Sequence, residues 1–299
     1  MSISFSALIT NYNTWQMTTL CVQELERWSK ESLTEILVVD DASAQNTPEN
    51  LPDKVRVIRN PENRGYVASV NIGFSHVKED VIILFDSDAY PLMDLTQLLA
   101  KLFATNSQLG AVGFKLIDEQ GQPTGSYSTE PNVLGLLLGQ QLAALYNSRF
   151  KHTRERPLCL HSCGMAVRRI AFEKIGGFDE GFDFLDADID FSMRLRAAGW
   201  HMQIDPSLVG YHKGGGSFQT TAKRVLRYHR NRWRLLAKHG HLPLPWLLKA
   251  GLVTRHALEY SFLIIVGKVV IKDPATLKDK LYGRRQLLNE VWSSYGNEY

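Results

Sequence analysis

Five short motifs carry the residue types on which chemistry can be built. Asp86-Ser87-Asp88 follows the apolar run VIILF. Two carboxylates one residue apart at a strand end can share a hard cation. Mg²⁺ or Mn²⁺ takes oxygen ligands and keeps positions open for phosphate oxygens. A turn with an Asx cap uses the same residues. Asp40-Asp41-Ala42-Ser43 ends a second apolar run, ILVV. A carboxylate there can accept a hydrogen bond from a base N–H or a ribose hydroxyl, and Asp and Ser also favour plain turns. In Asn63-Arg64-Gly65 the glycine lets backbone approach a ligand and Arg64 can pair with a diphosphate. A helix N-terminus beside them would favour an anion.

Asp186-Ala187-Asp188-Ile189-Asp190 reads as a helix start. Asp186 and Asp190, four apart, share a face and Asp188 points elsewhere. Acids in a first turn favour the helix dipole, but three exceed what a cap requires, so one is a candidate general base. Tyr211-His212-Lys213-Gly214-Gly215-Gly216-Ser217 offers an imidazole for a metal and a lysine and glycine run for phosphates. Residues 212–217 would close like a lid. Cys159, His161 and Cys163 are half of a zinc site with no second pair nearby in sequence, and read as plain thiols.

The elements that must position these residues alternate. ISFSALIT, EILVVD, VRVIRN, VIILFD and GAVGFKLID read as strands. Residues 14–30, 65–77 and 94–105 read as helices. Strands alternating with helices predict a mostly parallel α/β sheet with helices on both faces. Uninterrupted apolar strands fit burial on both sides. Ligands then sit beyond the carboxyl ends of the strands, where Asp40, Asp41, Asp86 and Asp88 fall. Residues 120–215 are less regular, and the last eighty read as Arg- and Lys-rich helices.

Of the 299 residues, 44% are hydrophobic and 22% charged, which excludes a disordered, collagenous or low-complexity chain. Three cysteines are too few for a disulfide framework and point to a reducing, cytoplasmic setting. The start MSISFSALIT lacks the basic region of a signal peptide. Charge is uneven: residues 1–221 carry 19 Lys and Arg against 26 Asp and Glu, and residues 222–299 carry 15 against 5. We therefore expect a catalytic domain over 1–221 and a basic helical extension over 222–299. The apolar runs 133–146 and 260–271 are too short to span a bilayer, although a helix lying on the inner face of a membrane remains open. No nucleic-acid reading motif accompanies the basic charge.

Taken in order, ALITNYN, EILVVDDAS, NPENRGYVASVNIGF, VIILFDSDAYP, CGMAVRRIAFEKIGGFDEGF, DADIDFSMRLRAAGW and YHKGGGSF resemble the family 2 glycosyltransferases of GT-A fold. RYHRNRWRLLAKHG is similar to the tail of their rhamnosyltransferase-like branch. The resemblance implies a nucleotide-diphosphate sugar donor (UDP or dTDP favoured), Mg²⁺ or Mn²⁺, a glycan or lipid-linked acceptor, and inversion by direct displacement. It implies Asp41 at the nucleobase with Asp40 its neighbour, Asp86 near the ribose, and Asp88 and His212 on the metal. It also implies Asn63, Arg64, Gly65, Gly164 and Asp190 on the substrate side and Asp188 as general base. Ala187 stands where the family has Glu, and favours a rival reading as a binding protein without turnover. A sugar nucleotidyltransferase would show a Gly-rich phosphate loop near the start, and residues 9–20 have none.

Overall fold

In the computed structural model, residues 3–29, 31–139, 157–183, 186–214, 220–293 and 295 are described. The chain divides into two compact units: Met1–Glu130 with Pro157–Gly216, and Pro131–Arg156 with Ser217–Tyr299.

The first unit is built on β1 (Phe5–Asn11), β2 (Leu33–Asp40), β3 (Val55–Arg59) and β4 (Val81–Asp86), all parallel in the order β3-β2-β1-β4. The crossovers carry α1 (Trp15–Ser29) and α2 (Tyr66–His76). Every residue of β1 and the first five of β4 are buried, as unbroken apolar strands covered on both faces must be. The register pairs Asn11 with Asp40, Asp40 with Arg59 and Thr10 with Asp86. The polar ends of four strands therefore gather along one rim.

The sheet continues through strands of later sequence. β6 (Leu109–Ile117) and β10 (His201–His212) are parallel to each other, β9 (Gly164–Arg168) lies antiparallel between β4 and β6, and β5 (Ala89–Pro91) closes the far edge against β10. The mostly parallel eight-stranded sheet thus matches the α/β expectation. The antiparallel β9 comes from the stretch that reads as irregular in sequence. β7 (Tyr127–Thr129) and β8 (Leu158–Leu160) form a separate ribbon. α3 (Thr96–Thr105), α5 (Arg169–Lys174) and α6 (Ala187–Ala197) also belong to this unit. Gly73 of α2 is a packing residue, because a Cβ there would sit 2.3 Å from Leu8 Cδ1.

The second unit holds α4 (Val133–Leu138), α7 (Thr221–Lys238), α8 (Pro245–Val270) and α9 (Pro274–Ser293). Leu136 packs with Trp233, Leu236, Leu248, Leu252, Leu287 and Val291 in one apolar core. The front of the 133–146 run is thus a core helix, and residues 140–146 lie outside the described ones. The arginines of α7 split between faces: Arg230 pairs with Glu290 at 2.9 Å, and Arg232 is buried over the Tyr228 ring. At the centre His229 Nε2 meets His256 Nε2 at 3.0 Å, and Glu259 accepts from Arg255 at 2.9 Å and Arg284 at 2.5 Å. Burial and the neighbouring His256 depress His229 to about 3, so its ring is neutral. Among the described residues no helix is long and apolar enough to cross a membrane.

Candidate active site

The end of β4 delivers Asp86, and the short loop after it delivers Asp88. β5 then pairs with β10 so that Ala89 lies opposite His212, and Lys213 N donates to Asp88 O at 3.2 Å. That antiparallel pairing carries His212 across the sheet to within 3.6 Å of Asp88, Nε2 to Oδ1. Asp86, Asp88 and His212 each offer a ligand atom, all within 4.8 Å of one another. The N-terminal turn of α6 brings Asp188 near enough for its charge to raise Asp86.

The electrostatics of this cluster favour a cation. Asp86 is pushed up to about 7, first by burial and then by the charges of Asp88 and Asp188. Asp188 is raised by burial, although Ser162 donates to it through side chain and backbone. Asp86 Oδ1, Asp188 Oδ1 and His212 Nδ1 are buried with no hydrogen-bond partner among the described residues. Burial lowers His212 against the pull of Asp88, leaving a neutral imidazole suited to metal ligation. Hard oxygen donors with one imidazole and unmatched negative charge fit Mn²⁺ or Mg²⁺.

The first two aspartates are used differently. Asp40 is fully buried, accepts from Asn11 Nδ2 at 2.6 Å and from Ser43 Oγ, and lies 3.5 Å from Arg59. It braces the ends of β1 and β2. Both oxygens of Asp41 are engaged: Arg64 N and Asn60 Nδ2 donate to Oδ1 and Gly65 N to Oδ2, each at 2.8 Å. Asp41 therefore holds the 60–65 loop in shape. Gly65 adopts φ +86°, which a side-chain-bearing residue rarely does, and opens α2.

The residue that this loop presents next is Tyr66. Its hydroxyl donates to Ser162 Oγ at 2.7 Å and lies against Asp86. Tyr66 and Ser162 link Asp86 to Asp188, and the motif reading above assigns a role to neither. Their signal was position alone, Tyr66 directly after Asn63-Arg64-Gly65 and Ser162 inside Cys-Leu-His-Ser-Cys-Gly.

The other candidates fall outside the cluster. Asp190 is buried against Arg194 Nε at 2.7 Å, and Arg194 also reaches Ile175 O, so this acid locks α6 to the preceding loop. Asp186, at φ +65°, is the N-cap residue of α6. Gly164 is buried opposite Phe85, and a Cβ there would meet Leu116 Cδ2 at 2.9 Å, so close packing accounts for the glycine. Asn63 and Arg64 are exposed, and Arg64 sits 3.6 Å from Glu180. Cys159 and Cys163 are buried thiols not joined in a disulfide, and the His161 ring meets Gly125 O and Ser128 Oγ. Gly215, Gly216 and Ser217 of the glycine run lie outside the described residues.

Residues 6–176, more than half of the chain, match the model of Glycosyl transferase family 2. The chain belongs to family 2 of the glycosyltransferases. Residues 156–273 of this transferase also match Glycosyl transferase family 21. It is 26% identical over 255 residues to the N-acetylglucosaminyl-diphospho-decaprenol L-rhamnosyltransferase of Mycobacterium tuberculosis, covering 75% of this chain and 82% of that protein. It is 27% identical to the inactive polypeptide N-acetylgalactosaminyltransferase-like protein 5 of Macaca fascicularis, over 60% of this chain and 44% of that one.

The transferase has the GT-A fold. The Pyrobaculum calidifontis mannosyltransferase PcManGT, solved with GDP-Man and Mn²⁺, superposes with a TM-score of 0.57 at 15% identity, over 96% of this chain and 88% of that one. GalNAc-T7, solved with UDP, GalNAc and Mn²⁺, gives 0.54 at 16% identity, over 82% of this chain and 53% of that one.

The acid cluster makes a measurable prediction for this glycosyltransferase. Asp86 has a folded-state pKa above its ordinary 3.8, so its stabilising contribution is full at low pH and lost as pH rises through about 7. A bound cation offsets the repulsion that replaces it. Without metal, the melting temperature should fall between about pH 5 and pH 8. Mn²⁺ should raise it by roughly 3–6 °C more near pH 8 than near pH 6. Differential scanning calorimetry checks this, and an equal Mn²⁺ shift at both pH values contradicts the assignment.

Proposed function

We propose that this family 2 glycosyltransferase is an inverting, cation-dependent enzyme that moves a deoxyhexose or hexose from a dTDP or UDP donor to an acceptor hydroxyl. The carrying observation is the convergence of Asp86, Asp88 and His212 beside Asp188. The rhamnosyltransferase relative favours a deoxyhexose and a prenyl-diphosphate-linked acceptor. Such an acceptor lies in a membrane, so residues 222–299 are proposed to meet its cytoplasmic face.

Asp88 and His212 would hold Mn²⁺ or Mg²⁺, with Asp86 beside them toward the ribose. When bound, the cation offsets the negative charge that builds on the departing diphosphate. Asp188 accepts the proton of the acceptor hydroxyl as its oxygen bonds to the anomeric carbon. The bond from that carbon to the diphosphate oxygen breaks on the opposite face, and the nucleoside diphosphate leaves. Ser162 keeps the Asp188 carboxylate aimed, and Tyr66 ties that hydrogen bond to the metal side. We assign Asp41 to shaping the loop at the nucleotide side through the amides of Arg64 and Gly65.

Ala187 in the place of the family's Glu, and a relative named inactive, favour a second reading in which donor is bound without turnover. One experiment separates them. In Mn²⁺, dTDP- and UDP-sugars should raise the melting temperature more than GDP-sugars. With a prenyl-diphospho-N-acetylglucosamine acceptor, mass spectrometry should detect one added sugar. Donor binding with no product supports the binding reading, and no response to any nucleotide sugar overturns both.

A further inference from the structure

The mechanism makes no use of the outer side of α8, although that side carries an ordered apolar stripe. Leu247, Leu258, Phe262, Ile265 and Val269 are all exposed, the last two at 78% and 84%. At 3.6 residues per turn they fall within about 60° of arc and run roughly 33 Å along the helix. The opposite side of α8 is committed to the helical unit. Leu248 and Leu252 pack in its core, His256 meets His229, Glu259 pairs with Arg284, and Gly267 lies where a Cβ would sit 2.6 Å from Leu277. α8 therefore does not present an all-round apolar surface to a bilayer, because its inner side carries His256 and the ion-paired Glu259.

The far end of the stripe is flanked by cations. Lys268 within α8 and Lys272 just beyond its end are exposed, and among the described residues no ion pair engages them. Three of the described acids of this unit are engaged: Glu259 by Arg255 and Arg284, Glu290 by Arg230, and Asp279 by the amide of Ala222. Asp273 is the one exposed acid among the described residues of 220–295, and it caps α9 at Thr276. An apolar ridge beside uncompensated positive charge matches an anionic lipid surface, with apolar side chains in the acyl boundary and lysines at the headgroups. Trp246 at the start of α8 is also exposed, and tryptophan is a residue type enriched at membrane interfaces.

We infer that α8 lies flat on an anionic bilayer through Leu247, Leu258, Phe262, Ile265 and Val269. This deepens the membrane part of the proposed function and does not depend on sugar transfer.

The test uses the full chain and sedimented vesicles of phosphatidylcholine, with or without phosphatidylglycerol. The wild type should partition onto the phosphatidylglycerol vesicles and be released by high salt. The double substitution Ile265→Glu, Val269→Glu should lower that partition at least about tenfold, with an unchanged circular dichroism spectrum and retained donor binding. Lys268→Glu with Lys272→Glu should weaken it on anionic vesicles. Equal partition of wild type and the double variant overturns the inference. So does a wild-type dimer in sedimentation velocity that the double variant dissolves while neither binds vesicles, which would make the stripe a contact between copies. Vesicle binding without sugar transfer would leave this inference standing and remove the proposed function. Transfer to a water-soluble acceptor without vesicle binding would do the reverse.

Discussion

Asp188→Asn is expected to cut sugar transfer by about 10³–10⁴-fold while donor affinity stays within about twofold of wild type. The amide is nearly isosteric and still accepts from Ser162, so the cleft keeps its shape. What is lost is the group that takes the acceptor proton. Asp188 is half-buried, with Oδ1 shielded from solvent, and desolvation raises it above the ordinary carboxylate range. A base must be ionised to act, so the acid limb of kcat/KM should lie above that range and vanish in the variant. Steady-state kinetics across pH, with calorimetry of donor binding, check both parts. A variant that keeps wild-type kcat removes Asp188 from the chemistry.

The second large effect is expected from Asp88→Ala. Asp88 lies 3.6 Å from His212 and raises Asp86 by its charge. Its removal deletes one of three clustered donors and half of the Asp-x-Asp pair. Transfer should fall by about 10³-fold or more, and Mn²⁺ should no longer tighten donor binding. The metal-free variant should melt no lower than the wild type, because a half-buried like-charge repulsion has gone with the side chain. Manganese titration by calorimetry together with a thermal melt distinguishes this from simple unfolding. An undiminished Mn²⁺ affinity would place the cation elsewhere.

The half of the fold nearest the N-terminus is legible in the chain. Runs such as VIILF and ILVV have no polar alternation, so they can only be strands covered on both faces, and helical periodicity falls between them. Burial on two sides also explains why polar residues appear only where such strands stop, which marks Asp40 and Asp86 as rim residues. β9 was hidden because a five-residue antiparallel insertion has no crossover helix and so leaves no alternating pattern around it.

The division of labour among the aspartates was not legible. Asp41 and Asp86 have similar local surroundings in sequence, each in an Asp- and Ser-containing stretch where an apolar strand ends. They differ because three N–H groups from residues 60–65 converge on Asp41, whereas no such donors reach Asp86 Oδ1. Asp190 looks as reactive as Asp188 until Arg194, one helical turn on, is seen to neutralise it. Local patterning thus specifies which residues stand at the sheet's rim, because burial of apolar strands is decided by a few neighbours. Which rim carboxylate is satisfied and which keeps its charge for work depends on groups brought from far along the chain, 19 residues from Asn60 to Asp41 and 124 from His212 to Asp88. Only the tertiary packing can supply those.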